Sequence, residues 1–190
     1  SLINDLLSEP YNASMYDYIR LSEELNSIVV QNNLFESIYI FFKLNDKILT
    51  TGEGFYTREE FYDREIVNDA LENEENYKLF STRQMHDPIN KSKTVNVITF
   101  AKKLPVTQKF TLGNLIINMR QNKVFDVLKK LDGRISSDIF VVNNNGKIII
   151  HEDNQKIYES IEYINLNFDR LTPTEGIKTV KINNTRYYAA

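Results

Sequence analysis

Four cationic side chains, Arg64, Arg83, Lys102 and Lys103, fall near segments with strand character. A guanidinium enclosed by such strands could clamp a carboxylate or phosphate through two parallel hydrogen bonds. The competing reading is surface charge paired with the abundant Asp and Glu. Tyr56, Phe61 and Tyr62 cluster just ahead of Arg64. Aromatic walls bearing a hydroxyl suit a small-molecule site, and the same residues suit a core. Asn96, Thr99, Asn114 and Asn118 interrupt apolar strand positions. At a period of two, Thr99 shares a face with Val97 and Asn96 lies opposite, while Asn114 and Asn118 share one face. Polar groups so placed meet solvent or require a partner, and a bound ligand is one such partner. The expected ligand-binding set is therefore Tyr56, Tyr62, Arg64, Arg83, Thr99 and Asn114.

Catalytic chemistry finds little support. The 190 residues contain no Cys, which excludes disulfides, thiolate metal sites and cysteine nucleophiles. The two His, His86 and His151, are far apart, so neither a His-rich metal site nor a Ser–His–acid triad is well supplied. An enzyme would have to use His86-Asp87 as its acid–base pair, in a segment that reads as a solvated loop before Pro88. His151 reads as a structural histidine at a strand end. Gly52-Glu53-Gly54 lacks the third glycine and the lysine of a phosphate loop. Adjacent acids (Glu23-Glu24, Glu59-Glu60, Glu74-Glu75) read as solvated helix faces. No catalytic residue, metal or cofactor is expected. A net charge of −3 argues against nucleic-acid binding.

The elements that would hold these residues follow from periodicity. Residues 1–33 read as helix, with Tyr11, Met15, Tyr18, Leu25 and Val29 along one stripe and Pro10 as a kink or a restart after Ser8. That stripe must bury itself, on its own domain or on a second copy of the chain. A hairpin is expected from 37–44 (SIYIFFKL) and 47–51 (KILTT) around Asn45-Asp46. Thr57 and Glu60 fit a capping box, so a short helix through Phe61-Tyr62 and a second one over 64–74 should follow. Segment 78–81 suggests a short strand, 82–94 a long loop or hairpin tip, and 95–104 and 110–119 an antiparallel pair. Residues 121–131 have helical spacing. Strands at 138–142 and 147–151, a helix over 153–164 and a hairpin from 177–184 and 186–189 complete the order. Hairpin, helix and antiparallel strands thus occur twice, the second copy shorter and cut off. The terminal Tyr187-Tyr188-Ala189-Ala190 reads as mid-strand, which suggests an excised piece of a larger protein. No apolar run approaches bilayer-spanning length, and no basic leader precedes Leu2-Ile3.

In the order of 37–42 (SIYIFF), 54–63 (GFYTREEFYD), 97–105 (VITFAKKLP), 113–119 (GNLIINM) and 140–151 (FVVNNNGKIIIH), the chain resembles a known family. It is similar to the extracytoplasmic double Cache (tandem PAS-like) sensor domains of Gram-positive bacterial membrane receptors, in particular those of sensor histidine kinases and membrane-bound AraC-type regulators. The resemblance implies an α+β fold of two antiparallel PAS-like lobes on a long N-terminal helix. It implies a signalling and dimerisation helix at 1–33, a membrane-distal ligand-binding lobe at 34–120, a connecting helix at 121–132 and a membrane-proximal lobe at 133–190. Amino-acid-binding Cache domains share a motif of Tyr, four residues, Arg, one residue and Trp-Tyr, followed by a nearby Ala. Arg64, Ile66-Val67 and Ala70 fall at those places, with Arg64 at the carboxylate-binding position. Ile66-Val67 replaces the aromatic pair and Glu59 the Tyr, so amino-acid binding does not carry over.

The expected function is reception of a small extracellular molecule in the distal lobe and relay of a shape change to a cytoplasmic output. The chain would be the membrane-tethered ectodomain of a two-component or transcription-regulating receptor, a homodimer through its N-terminal helix, without enzymatic activity of its own. The alternative is a protein- or polymer-interaction module whose distal lobe is filled by side chains.

Overall fold

The computed structural model describes residues 2–10, 12–52, 54–86, 93–105, 110–132, 140–142, 146–160, 178–182 and 185–189. The chain forms two compact units, 1–136 and 137–190.

The first unit opens with helices α1 (Leu2–Ser8) and α2 (Met15–Gln31). Pro10 separates them rather than bending one helix, because it cannot donate the next helical hydrogen bond. Ser14 restarts the helix with a reciprocal capping box to Asp17. Tyr18, Leu21 and Leu25 are buried and Val29 packs beside them. Within the expected stripe, Tyr18, Leu25 and Val29 are therefore spent on their own sheet, Met15 is exposed, and Tyr11 lies outside the described residues.

A seven-stranded antiparallel sheet follows. It comprises β1 (Phe35–Phe42), β2 (Lys47–Thr50), β3 (Gly54–Thr57), β4 (Tyr77–Leu79), β5 (Arg83–His86), β6 (Thr94–Leu104) and β7 (Gly113–Arg120), with helix α3 (Arg64–Glu72) between β3 and β4. The order is β3-β2-β1-β7-β6, with β4 and β5 pairing in tandem along the long β6. Asp46, at a positive φ of 53°, makes the β1–β2 turn.

Both faces of the sheet are covered, which is why β1 reads as a continuous apolar run rather than an alternation. Ile38, Ile40 and Phe42 meet α1 and α2 on one side. Tyr39, Phe41, Ile116 and Ala101 meet Phe61, Ile66, Val67 and Ala70 of the α3 region on the other. Each buried Ile, Val or Phe among them contributes roughly 1.5–3 kcal/mol. At the end of β7 the backbones come too close for a side chain: a Cβ on Gly113 would lie 2.1 Å from the Phe41 carbonyl oxygen. Helix α4 (Gln121–Asp132) closes the unit, with Phe125 buried.

The second unit contains the hairpins β8 (Phe140–Val142) with β9 (Ile148–His151) and β10 (Lys178–Ile182) with β11 (Thr185–Ala189). His151 is buried, and its Nδ1 accepts the Asp153 N–H at 2.8 Å.

Two expected helices are corrected and one open alternative is decided. The Thr57–Glu60 hydrogen bonds form, yet residues 58–63 are turns and the helix begins only at Arg64. Of the two readings of 82–94, loop or hairpin tip, the structure takes the hairpin: β5, whose polar sequence Arg-Gln-Met-His carries no strand signature, pairs in register with β6. Within the expected helix at 153–164, the described residues hold a single 3-10 turn, Asn154–Lys156, after which backbone bonds return the chain to β9.

Candidate functional site

The α3-facing side of the sheet carries a row of polar residues. Ser37 of β1 stands opposite Asn118 of β7, and Asn118 stands opposite Thr99 of β6. All three are buried, Thr99 and Asn118 completely. The solvent-facing reading of these residues is thereby removed, since the apolar layer around Phe61 and Val67 covers the same face. Each must then be bonded to a partner. Thr99 Oγ1 donates to Asn118 Oδ1 at 2.7 Å, and Asn118 Nδ2 donates to Ser37 Oγ at 2.9 Å.

At the end of this row lies Arg83, placed on the same face by pairing opposite Val97. Its Nε donates to Thr99 Oγ1 at 3.1 Å and its Nη2 to Asn118 Oδ1 at 3.1 Å. The fork itself grips Asp63, with Nη1 to Oδ1 at 2.9 Å and Nη2 to Oδ2 at 2.7 Å. The two side chains retain 20% and 11% exposure, so the pair lies largely out of water. A bidentate charge-assisted pair in such a place is among the stronger polar contacts a protein makes.

Asp63 is delivered by the turn segment 58–63, directly before α3. Tyr39 reaches it from the sheet and donates its hydroxyl to Asp63 Oδ2 at 3.1 Å. With that proton committed, the Tyr62 hydroxyl at 3.3 Å is the donor toward Tyr39. Burial, then the neighbouring Asp63 carboxylate, hold the Tyr39 phenol well above its ordinary pKa, so it stays a neutral donor. The rings of Tyr39, Tyr56, Phe61 and Tyr62 meet edge-on or tilted, at centroid distances of 4.6 to 6.5 Å. Phe61 is buried, and Tyr62 remains 40% exposed at the rim.

Of the expected set, the structure gathers Tyr62, Arg83 and Thr99 into this cluster, with Tyr56 against its rings. Asn114 shares the face but sits toward the far end of α3, where its Nδ2 donates to the Ala70 carbonyl at 3.2 Å. Its Oδ1 is buried without a hydrogen-bond partner among the described residues. Arg64 is exposed, with Nη1 3.4 Å from the Glu59 carbonyl. Lys103 binds the Glu74 carbonyl at 2.7 Å, and Lys102 lies on the opposite face, across from Leu115. His86 is exposed on β5, and Asp87 lies outside the described residues. Sequence reasoning missed Asp63 and Tyr39. The one available signal for Asp63 was an acid directly after the Phe61-Tyr62 pair.

Two open grooves lie elsewhere on this unit. One of about 440 Å³ runs beside the C-terminal end of α3, bounded by Asp69, Glu72, Glu74 and Lys78. The other, of about 360 Å³, lies between α1 and α2, bounded by Asp5, Leu6, Glu9 and Asp17. Neither is lined by the Arg83–Asp63 cluster.

No protein-family model matches the chain, and no curated protein matches its sequence. Solved structures do match its fold. The sensory domain of the Campylobacter jejuni chemoreceptor Tlp3, solved with isoleucine bound, is 19% identical with a TM-score of 0.50 over 97% of this chain and 73% of its own. The ligand-binding domain of the Pseudomonas aeruginosa amino acid chemoreceptor PctC, in complex with GABA, is 16% identical with a TM-score of 0.51 over 95% and 77%. The extracellular domain of vpHK1S-Z8, assigned as a histidine kinase, is 14% identical with a TM-score of 0.55 over 83% of this chain and 60% of its own. At these identities the likeness establishes architecture: the chain has the α+β, PAS-like antiparallel fold found in the sensory domains of chemoreceptors and of a histidine kinase.

Proposed function

We propose that the chain is the extracellular sensory domain of a bacterial transmembrane receptor and that a small molecule binds at the Arg83–Asp63 cluster. One observation carries this reading. A partly buried cation and anion face each other on one side of a PAS-like sheet, held by Thr99, Asn118 and Tyr39, with Tyr62 at the surface above them. A core built for stability alone gains little from such a pair, because desolvation offsets most of the Coulomb attraction. Support also comes from the domains of like fold, two of which were solved with isoleucine and GABA bound.

In this reading residues 34–120 form the membrane-distal lobe, 121–132 the connecting helix and 133–190 the proximal lobe of a double Cache receptor of Gram-positive type. The ligand shifts the population between two arrangements of α3 on the sheet. The size of the shift is bounded by the ligand's differential affinity for the two arrangements. The output is a histidine kinase or a transcription regulator across the membrane. Residues 1–33 carry the signal toward it, and a homodimer uses the outward side of α2, where Met15, Tyr16 and Ile19 are exposed. The domain binds no nucleic acid and catalyses no reaction.

A second reading, a protein- or polymer-interaction module, is favoured by one observation: the cluster's side chains close on one another, and the open grooves lie elsewhere. A thermal-shift screen against amino acids, organic acids, sugars, polyamines and nucleosides separates the two. A ligand at one hundred times its dissociation constant stabilises the fold by about 2.7 kcal/mol. The sensor reading expects a hit that vanishes in Arg83→Gln and survives in Arg64→Gln. Silence across the panel, or a hit indifferent to Arg83, supports the interaction module instead.

A further inference from the structure

Asp63 occupies the N-cap position of α3 and does not cap it. Its side chain makes no hydrogen bond to the helix's first N–H groups. Its backbone, at φ −110° and ψ 35°, lies outside the extended region that capping residues use. The carboxylate is committed instead to Arg83 and Tyr39. Asp is among the best capping residues, and a helix N-terminus favours a negative charge. One carboxylate thus has two competing places: the guanidinium of Arg83 or the start of α3.

The other groups around Arg83 have no such freedom. Thr99 and Asn118 stand on paired strands in the middle of the sheet and are fully buried. Asp63 alone comes from a turn segment, beside the partly exposed Tyr62. Resting on the sensor reading above, the geometry points to Asp63 as an internal, exchangeable counter-ion: an external small carboxylate takes its place on the Arg83 fork, and the freed Asp63 turns back to cap α3.

The charges account for the ligand class. A cation would meet the Arg83 charge, and a neutral molecule displacing Asp63 would leave the guanidinium unpaired. A carboxylate reproduces the two parallel bonds that Asp63 makes now. Two carboxylates cannot both hold that fork, so the displaced charge must leave, and the helix start is its nearest favourable place. Capping requires ψ of Asp63 to rotate into the extended region. That rotation moves the Phe61-Tyr62 segment relative to α3, which turns occupancy of Arg83 into a change of shape.

Acetate is the probe. In Asp63→Ala the internal carboxylate is gone and its space is left. Melting is followed in sodium acetate against sodium chloride at matched ionic strength. Asp63→Ala should gain roughly 3–5 °C at about ten times the acetate dissociation constant. Asp63→Ala/Arg83→Gln should gain nothing beyond chloride. If circular dichroism shows Asp63→Ala unfolded, the near-isosteric Asp63→Asn replaces it, and acetate should bind it about ten-fold more tightly than the wild type. In the wild type titrated with acetate, hydrogen exchange at the Glu65 and Ile66 amides should slow as Asp63 caps them. No acetate-specific gain in either single variant, an equal gain in the double variant, or unchanged exchange at those amides overturns the exchange. A hit in the metabolite screen that needs Arg83 but is not a carboxylate would overturn it too, while leaving the sensor reading standing. A screen without any Arg83-dependent hit would count against the sensor reading itself.

Discussion

Removing one partner of the Arg83–Asp63 pair should cost far more than its share of a double replacement. Arg83→Met deletes the cation and strands Asp63 with Tyr39 as its remaining partner in the cluster. Breaking a buried pair costs about 3–5 kcal/mol. The residual exposure of 20% and 11% places this one near the lower end, at roughly 3 kcal/mol. Asp63→Asn keeps the shape but leaves Arg83 facing a neutral amide, for roughly 2–3 kcal/mol. If the two acted independently, the double variant would lose about 5–6 kcal/mol. Because each single variant already forfeits the whole interaction, the double variant should lose only about 3 kcal/mol, giving a coupling of roughly 2–3 kcal/mol. Urea unfolding followed by near-UV circular dichroism measures this. The chain has no Trp, and three of its eleven Tyr, Tyr39, Tyr56 and Tyr62, sit in or against the cluster, so the tyrosine signal includes this region. A coupling below about 0.5 kcal/mol, within the additive range, would refute the view that these two charges organise the site.

Gly113→Ala should destabilise the first unit by roughly 3 kcal/mol or more, because its Cβ would lie 2.1 Å from a backbone oxygen of β1 and 2.7 Å from Leu7 Cδ2; a melting point unchanged from wild type would contradict that geometry. Tyr39 makes stability fall at alkaline pH. Its phenol is raised in the folded state, so above about pH 10 the unfolded chain loses this proton while the native one keeps it, and stability declines from there. Tyr39→Phe should cost about 1 kcal/mol at neutral pH and show a shallower alkaline decline, readable from urea midpoints across pH. On α2, Leu21→Ala should cost about 2–5 kcal/mol, since Leu21 is fully buried on the sheet. Ile19→Ser should stay within about 0.5 kcal/mol and, by sedimentation velocity, weaken any self-association through the helix.

How much was legible in the sequence depended on whether a signal was local. The strands of β1, β6 and β7 announce themselves through β-branched and aromatic runs, and α4 through its period. The strand β5 does not: its polar residues become a strand only because β6 extends past β4 and offers unpaired backbone groups. The turn at 58–63 defeated a valid local signal. Thr57 and Glu60 made their bonds, yet Phe61 gained more by entering the core and Asp63 by reaching Arg83. Site residues followed the same division. Thr99 and Asn118 stood out as polar interruptions of apolar strands. That they bond to each other and to Ser37 follows from register between strands far apart in sequence, which no local pattern encodes. Arg64 and Arg83 looked equivalent as cations, and pairing opposite Val97 is what directs Arg83 inward.

On the proposed function, a ligand enters at the Arg83–Asp63 cluster. The most direct measurement is an NMR titration of the first screening hit that follows the Arg83 Nε–Hε correlation and the amides of residues 61–66. If the ligand enters there, the Arg83 correlation and the Glu65 and Ile66 amides should move together and saturate with the same dissociation constant. Shifts confined to either open groove, with Arg83 unmoved at saturation, would contradict it.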